Sequence, residues 1–277
     1  MSSFSLSKVM SLAIVMSLLT ATTLASPLQV RTNRWLMVRQ AMGKVFYQTG
    51  STSKVASVGT RLQAVGDTIR TEERSSTVLD IDTGIGLIKV AEKTTLQVKQ
   101  LQALPNGGRT TRLEVTRGQA RLQLRPFTHK ASRLEVITPA GVSGVRGTEF
   151  GVSAQPNGKT GVATLSGSVA TTAQGRSVLI KGGFQSLVVP GEAPLPATPL
   201  KDDPSLNSKR LARISEQQVL FSGQTDAVNL LLVNNMPQNI DRNGRFEVTA
   251  QIINEQVTAT VITPLGKRQE YRFTRPQ

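Results

Sequence analysis

Along most of the chain, apolar and polar residues alternate in short runs separated by Gly, Pro, Asn or Asp, the pattern of β-strands joined by tight turns. In Thr77-Val78-Leu79-Asp80-Ile81-Asp82 the alternation turns Leu79 and Ile81 inward and sets Asp80 and Asp82 side by side on the outer face. In the same way Ala120, Leu122 and Leu124 point inward while Arg121, Gln123 and Arg125 point outward. Asn106-Gly107-Gly108 and Asn157-Gly158 supply the positive-φ residues that close hairpins. A step ending in Gly-x-Ala or Gly-x-Val recurs at Val115-Thr116-Arg117-Gly118-Gln119-Ala120 and at Thr164-Leu165-Ser166-Gly167-Ser168-Val169. Short strands turning at glycine corners fit a β-helix-like or barrel-like coil better than one broad sheet.

Residues 136–152 stand out. Thr138-Pro139 and Gly141 make a turn after an alternating strand, and Val145-Arg146-Gly147-Thr148-Glu149-Phe150-Gly151-Val152 follows. Strict alternation would put Val145, Gly147 and Glu149 on one face and Arg146, Thr148 and Phe150 on the other. Gly144 and Gly147 free space for a close backbone approach or a bulge. Arg146 beside them is expected to be a buried tie, its five donors bonding loop carbonyls or a carboxylate, with a ligand contact as the alternative.

A Pro-rich stretch beginning Pro190-Gly191-Glu192-Ala193-Pro194 and continuing to Pro204 reads as a semi-stiff linker over residues 190–207. Residues 208–218 suggest a short helical connection. Beyond them the hairpin rhythm of Val228 to Asn234, the Asp241-Arg242-Asn243-Gly244 turn and the Pro264-Leu265-Gly266 turn predict a small Ig-like β-sandwich over residues 208–277.

Composition agrees with strands: aromatics are 4% of 277 residues, while Val, Thr, Leu and Gly are frequent. There is no cysteine and one histidine, so disulfides, thiolate metal sites, Cys nucleophiles and multi-histidine metal sites are excluded. The N-terminus carries Lys8 as its only charge, a short apolar run and then Thr20-Ala21-Thr22-Thr23-Leu24-Ala25, which predicts a signal peptide over residues 1–25 cleaved after Ala25 with Thr23 at the −3 position. A retained anchor is the alternative, but serines interrupt the run and it is short of the roughly 20 apolar residues a spanning helix needs. The chain is then expected in the periplasm or outside the cell, where nucleic acid is an improbable partner despite a net charge of +15.

Candidate chemistry is sparse. Asp80 and Asp82 have the pairing used for Ca²⁺ or acid–base work, but they equally describe the solvent side of a half-buried strand. His129 lies in a loop with no Ser–Asp partner, and no nucleophile elbow or phosphate loop is present. The strongest charge feature is a basic region in which Arg112, Arg121, Arg125, Lys130 and Arg133 form a candidate interaction face for an anionic glycan or an acidic protein surface.

Gly66-Asp67-Thr68-Ile69-Arg70-Thr71, the step ending at Gly118, and Thr138-Pro139 followed by Val145-Arg146-Gly147-Thr148-Glu149-Phe150 together resemble a FecR-type domain, from about Met42 to Val189. The motif positions are Gly66, Asp67, Thr138, Pro139, Arg146, Gly147, Thr148 and Phe150. The resemblance implies a periplasmic, β-helix-like domain that relays receptor occupancy to a sigma regulator. With only a few residues before the apolar run, the chain is expected to lack the cytoplasmic sigma-regulating segment of that plan. The expectation is an all-β, non-enzymatic envelope protein with no cofactor: a FecR-like domain over residues 35–189, then the sandwich. Its role would be protein interaction or scaffolding, with glycan or peptidoglycan binding and receptor-linked signalling as alternatives.

Overall fold

The structure, a computed structural model, describes residues 34–274. The expected signal peptide lies outside the described residues. Among the described residues every regular element is a strand, as the alternation predicts, and these residues belong to one compact unit.

The first seventeen strands form one hydrogen-bonded system folded into two layers, and the chain moves back and forth between them. Layer one takes β1 (Leu36–Met42), and layer two takes β2 (Val45–Thr49) and β3 (Thr52–Val55). β4 (Arg61–Leu62) returns to layer one, β5 (Thr68–Thr71) lies in layer two, and β6 (Ser76–Ile81) and β7 (Gly86–Val90) lie in layer one. After β8 (Thr95–Ala103) in layer two, the long β9 (Arg109–Leu124) belongs to both. Its first half pairs with β8 and its second half with β7.

The second part repeats the pattern. β10 (Arg133–Thr138) and β11 (Gly141–Val145) lie in layer two, β12 (Glu149–Ala154) and β13 (Thr160–Ser166) in layer one. β14 (Ser168–Ala173) and β15 (Arg176–Lys181) return to layer two, and β16 (Phe184–Val188) and β17 (Thr198–Pro199) close layer one. β10 runs parallel to the first half of β9, Val136 opposite Leu113, because the chain has crossed to the other layer and come back between them. This coil is the β-helix-like element of the fold.

One core fills the space between the layers, with Leu36, Ile69, Leu79, Leu96, Leu113, Leu122, Leu134 and Phe150 essentially inaccessible. Gly118, at φ +90, lets β9 pass from one layer to the other. Buried positions are odd before it (Leu113, Val115) and even after it (Ala120, Leu122), so the bend keeps both halves facing the same core.

Two sequence expectations change here. Asp82 does not share the outer face with Asp80: β6 ends at Ile81, Asp82 takes φ 46, and its carboxylate turns inward. There it accepts from Arg34 Nε at 2.9 Å and from the Trp35 amide at 3.1 Å. Arg34 also donates to the carbonyls of Thr110 (2.6 Å) and Gln102 (3.2 Å) and to Thr111 Oγ1 (2.8 Å). Asp80 remains half-buried beside Arg39 at 3.7 Å. The expected helical connection at 208–218 is instead mostly strand, because its N-terminal part pairs in antiparallel register with the next strand.

The Pro-rich stretch runs along layer one. Leu195 donates its amide to the Leu187 carbonyl at 3.0 Å, and β17 pairs with β16. Seven further strands follow: β18 (Asn207–Arg213), β19 (Gln218–Gln224), β20 (Leu230–Val233), β21 (Met236–Gln238), β22 (Arg245–Gln251), β23 (Gln256–Ile262) and β24 (Arg268–Thr274). They form a three-stranded sheet, β18-β19-β22, and a four-stranded sheet, β21-β20-β23-β24. The two sheets enclose a second core around Phe221, Leu231, Phe246 and Val261, where the Phe221 and Phe246 rings meet edge to face at 5.2 Å.

Candidate functional site: a cleft between the layered domain and the C-terminal sandwich

The outer face of layer one is where the two cores meet. In β12 the residues from Phe150 to Ala154 are all buried, and in β13 those from Thr160 to Thr164. An ordinary outer strand would alternate. The C-terminal sandwich covers the second face, and small residues let its loops lie directly on the strands. A Cβ on Gly151 would fall 1.8 Å from the Pro264 carbonyl oxygen, and one on Gly161 2.3 Å from that of Val228.

Side chains of the layer grip the exposed carbonyls of those loops. Gln119 Nε2 donates to Pro264 O at 2.6 Å and Arg121 Nη1 to Leu265 O at 3.2 Å. Gln155 Nε2 reaches Ala227 O at 2.8 Å and Asn229 O at 3.1 Å, and Ser153 Oγ donates to Val228 O. Gln185 donates to Asp226 at 2.9 Å. Backbone groups that would be stranded in a dry interface are thereby satisfied.

Where the sandwich stops covering the layer, a cleft of about 600 Å³ opens. Its floor is the outer face of β6, β7 and β9, carrying Val78, Lys89 and Arg121. Met42 and Arg74 stand at one side, and Ile262, Leu265, Arg268 and Glu270 of the sandwich at the other. Arg268 Nε bonds the buried Glu92 at 2.7 Å, and its Nη2 lies 3.2 Å from Glu270. Burial acts to lower the Arg268 pKa, but the Glu92 hydrogen bond and charge outweigh it and hold the value above the ordinary arginine one. Hydrogen bonds from Arg272 and Arg268 hold Glu270 below the usual carboxylate value. For Glu149, burial pushes upward but is overcome by hydrogen bonds from Arg121 and Gln123, so its carboxyl is also lowered. Glu149 and Glu270 are therefore ionised and bound at neutral pH.

The five basic residues singled out by sequence do not form one face. Arg112 and Arg133 lie on layer two and share Glu135, at 2.8 and 3.9 Å. Arg121 is on the outer face of layer one, bound to Glu149. The bend at Gly118 separates them. Arg125 and Lys130 are exposed beyond the end of β9. His129 accepts the Ala131 amide at 3.2 Å in the same loop.

The motif residues hold turns and core. Asp67 is buried and accepts from the amides of Gln63 (2.8 Å) and Ala64 (3.0 Å) and from the Tyr47 hydroxyl (3.2 Å), fixing the turn that contains Gly66. Thr138 donates to Gly141 O at 3.1 Å across the turn at Pro139, Thr148 donates to Ser168 O at 3.0 Å, and Phe150 is fully buried. Arg146 corrects an expectation: its side chain is exposed, and only its carbonyl makes a tie, accepting the Phe127 amide at 3.2 Å. Gly147, at φ +117 with Pro126 Cα 2.3 Å from a notional Cβ, breaks the alternation so that Val145 and Phe150 are both buried. The buried guanidinium tie does exist, at Arg34, with its acid 48 residues away. The cleft had no local signal in sequence. The nearest hint was the row of small residues Gly151, Ser153, Gly161 and Ala163 where a strand facing solvent would carry long polar ones.

Among the described residues there is no group of three or more His, Asp or Glu that could hold a metal ion, and no helix long and apolar enough to cross a membrane. No curated protein matches the chain. Two crystal structures of a candidate anti-sigma factor from Parabacteroides distasonis are similar at 13% and 14% identity, with TM-scores of 0.41 and 0.39. Each similarity covers 48% of this chain and 59% of the other, less than two thirds of its length. Residues 67–170 match the family model described as FecR protein. This span runs from the buried turn carboxylate Asp67 through the Gly147 corner to β14, and it is over these residues that the chain is similar to the FecR family.

Proposed function

We propose that the protein is a non-enzymatic interaction or scaffold component of the bacterial cell envelope, exported by the signal peptide at residues 1–25. In this reading the Ig-like sandwich is held against the FecR domain, and the pair presents the cleft to a partner protein. The observation that carries it is the cleft itself, whose walls come from both cores and whose acids are committed to structural ion pairs rather than left available for acid–base chemistry. The test is a photocrosslinking amino acid placed at Met42 or Lys89 in expressing cells, with Leu179 on β15 as the control position. A discrete adduct from the cleft positions and not from Leu179 is expected. No adduct, or the same adduct from all three, overturns the reading.

Glycan binding is a second reading, favoured by the net charge of +15 and the exposed Arg125 and Lys130. It requires sedimentation with peptidoglycan that weakens as salt rises. Receptor-linked signalling is the reading that the FecR match favours, and it requires co-purification with an outer-membrane receptor.

A further inference from the structure

We propose that the cleft binds an extended acidic peptide segment of its partner, anchored by a bulky aliphatic side chain; this rests on the protein-interaction reading above. The charge balance sets the sign of the ligand. Arg268 is occupied by Glu92 and Glu270, and Arg121 by Glu149 and the Leu265 carbonyl. That leaves two cations. Lys89 is exposed on β7 and forms no close ion pair among the described residues, its charge only adding at longer range to those that lower Glu149. Arg74 is mostly exposed, with Glu73 only at 4.0 Å.

The walls set the rest. Met42 is 57% exposed at the edge of the cleft and half-buried Val78 lies on the floor, so these two supply the open apolar surface, while Ile262 and Leu265 line the cleft from nearly buried positions (1% and 3% exposed). An exposed thioether on such a surface adapts to varied apolar side chains. No aromatic ring lines the cleft to stack on a sugar, which disfavours a glycan. Lys89 and Arg121 on the floor would lie against an acyl chain, which disfavours a lipid. A peptide that alternates carboxylate and aliphatic side chains satisfies both kinds of surface.

The experiment pans a random peptide display library on the purified protein, then measures the enriched peptides by fluorescence anisotropy. Expected are sequences that place Asp or Glu near Leu, Ile, Met or Phe. Lys89→Glu and Met42→Asp should each weaken binding about tenfold, and Lys181→Glu on β15, the same charge change elsewhere, should leave it unaltered. Both cleft positions are exposed, and thermal melts would verify folding. The proposal is overturned by a lack of enrichment, by acidic peptides that lose affinity equally in Lys89→Glu and Lys181→Glu, or by Lys89-dependent binding of polygalacturonate without peptide binding. A Met42 crosslink in cells combined with failed panning would sink the acidic occupant and leave the docking reading standing; failure of both would sink both.

Discussion

Replacing Gly151 with alanine separates a docked sandwich from a loosely tethered one by the sign of the effect. Gly151 lies mid-strand in β12, opposite Arg121 on one side and Ala163 on the other, with no positive φ. On an open strand, alanine in place of glycine would gain roughly 0.5–1 kcal/mol from reduced chain entropy. Here the new methyl falls 1.8 Å from Pro264 O and 2.5 Å from its carbonyl carbon. Backbone on both sides prevents a rotamer change from relieving the clash, so the 263–266 turn must retreat. That retreat breaks the Gln119 and Arg121 bonds to Pro264 and Leu265, at about 0.5–1.5 kcal/mol each, and adds overpacking of about 1–3 kcal/mol. After the entropy gain is subtracted, a net loss of about 1–5 kcal/mol is expected. Urea unfolding measures it, and limited proteolysis of the 190–207 stretch should become faster. A neutral or stabilising Gly151→Ala would refute the close packing of the two cores.

Arg34→Ala should lose about 3–5 kcal/mol in chemical denaturation, because the buried bonds to Asp82, Thr110 and Thr111 go and Asp82 keeps only Arg109 at 3.6 Å, whereas Arg133→Ala, an exposed side chain 3.9 Å from a Glu135 that retains Arg112, should stay within about 0.5 kcal/mol. Gly147→Ala should destabilise by roughly 2–4 kcal/mol, through φ +117 and the contact with Pro126; a thermal midpoint equal to wild type would contradict the corner geometry. Glu149 is lowered below its ordinary pKa, so its contribution is complete above that value and is lost as pH falls through the lower folded one. Stability measured from pH 6 down to pH 3, roughly the carboxylate range, should therefore fall less steeply in Glu149→Gln than in wild type.

The strand class was legible because it rests on local alternation: Leu79 with Ile81, and Ala120 with Leu122 and Leu124, are buried as their spacing requires. What sequence missed depends on partners far along the chain. Asp82 looked solvent-facing because Arg34 and the Thr110 carbonyl that complete its environment are remote. Arg146 looked buried because a strict period of two cannot register the irregular step at Gly147. Ser208-Lys209-Arg210-Leu211-Ala212-Arg213 has good helix formers, and pairing with the strongly apolar β19 overrode that propensity. The basic face dissolved for a similar reason: a contiguous cluster of arginines was divided by one bend at Gly118. The cleft joins Met42, Val78, Lys89, Arg121 and Leu265, which no local window contains.

The strand common to both layers also decides how the molecule can be broken. A cut in the exposed loop after β9 would leave the N-terminal piece with two naked edges, the positions of β10 and β12, while the C-terminal piece would lack the central strand on which both its sheets are built. Neither piece can finish its own interior, so the two are expected to behave as complementary fragments, each unfolded alone and regaining β-sheet circular dichroism on mixing.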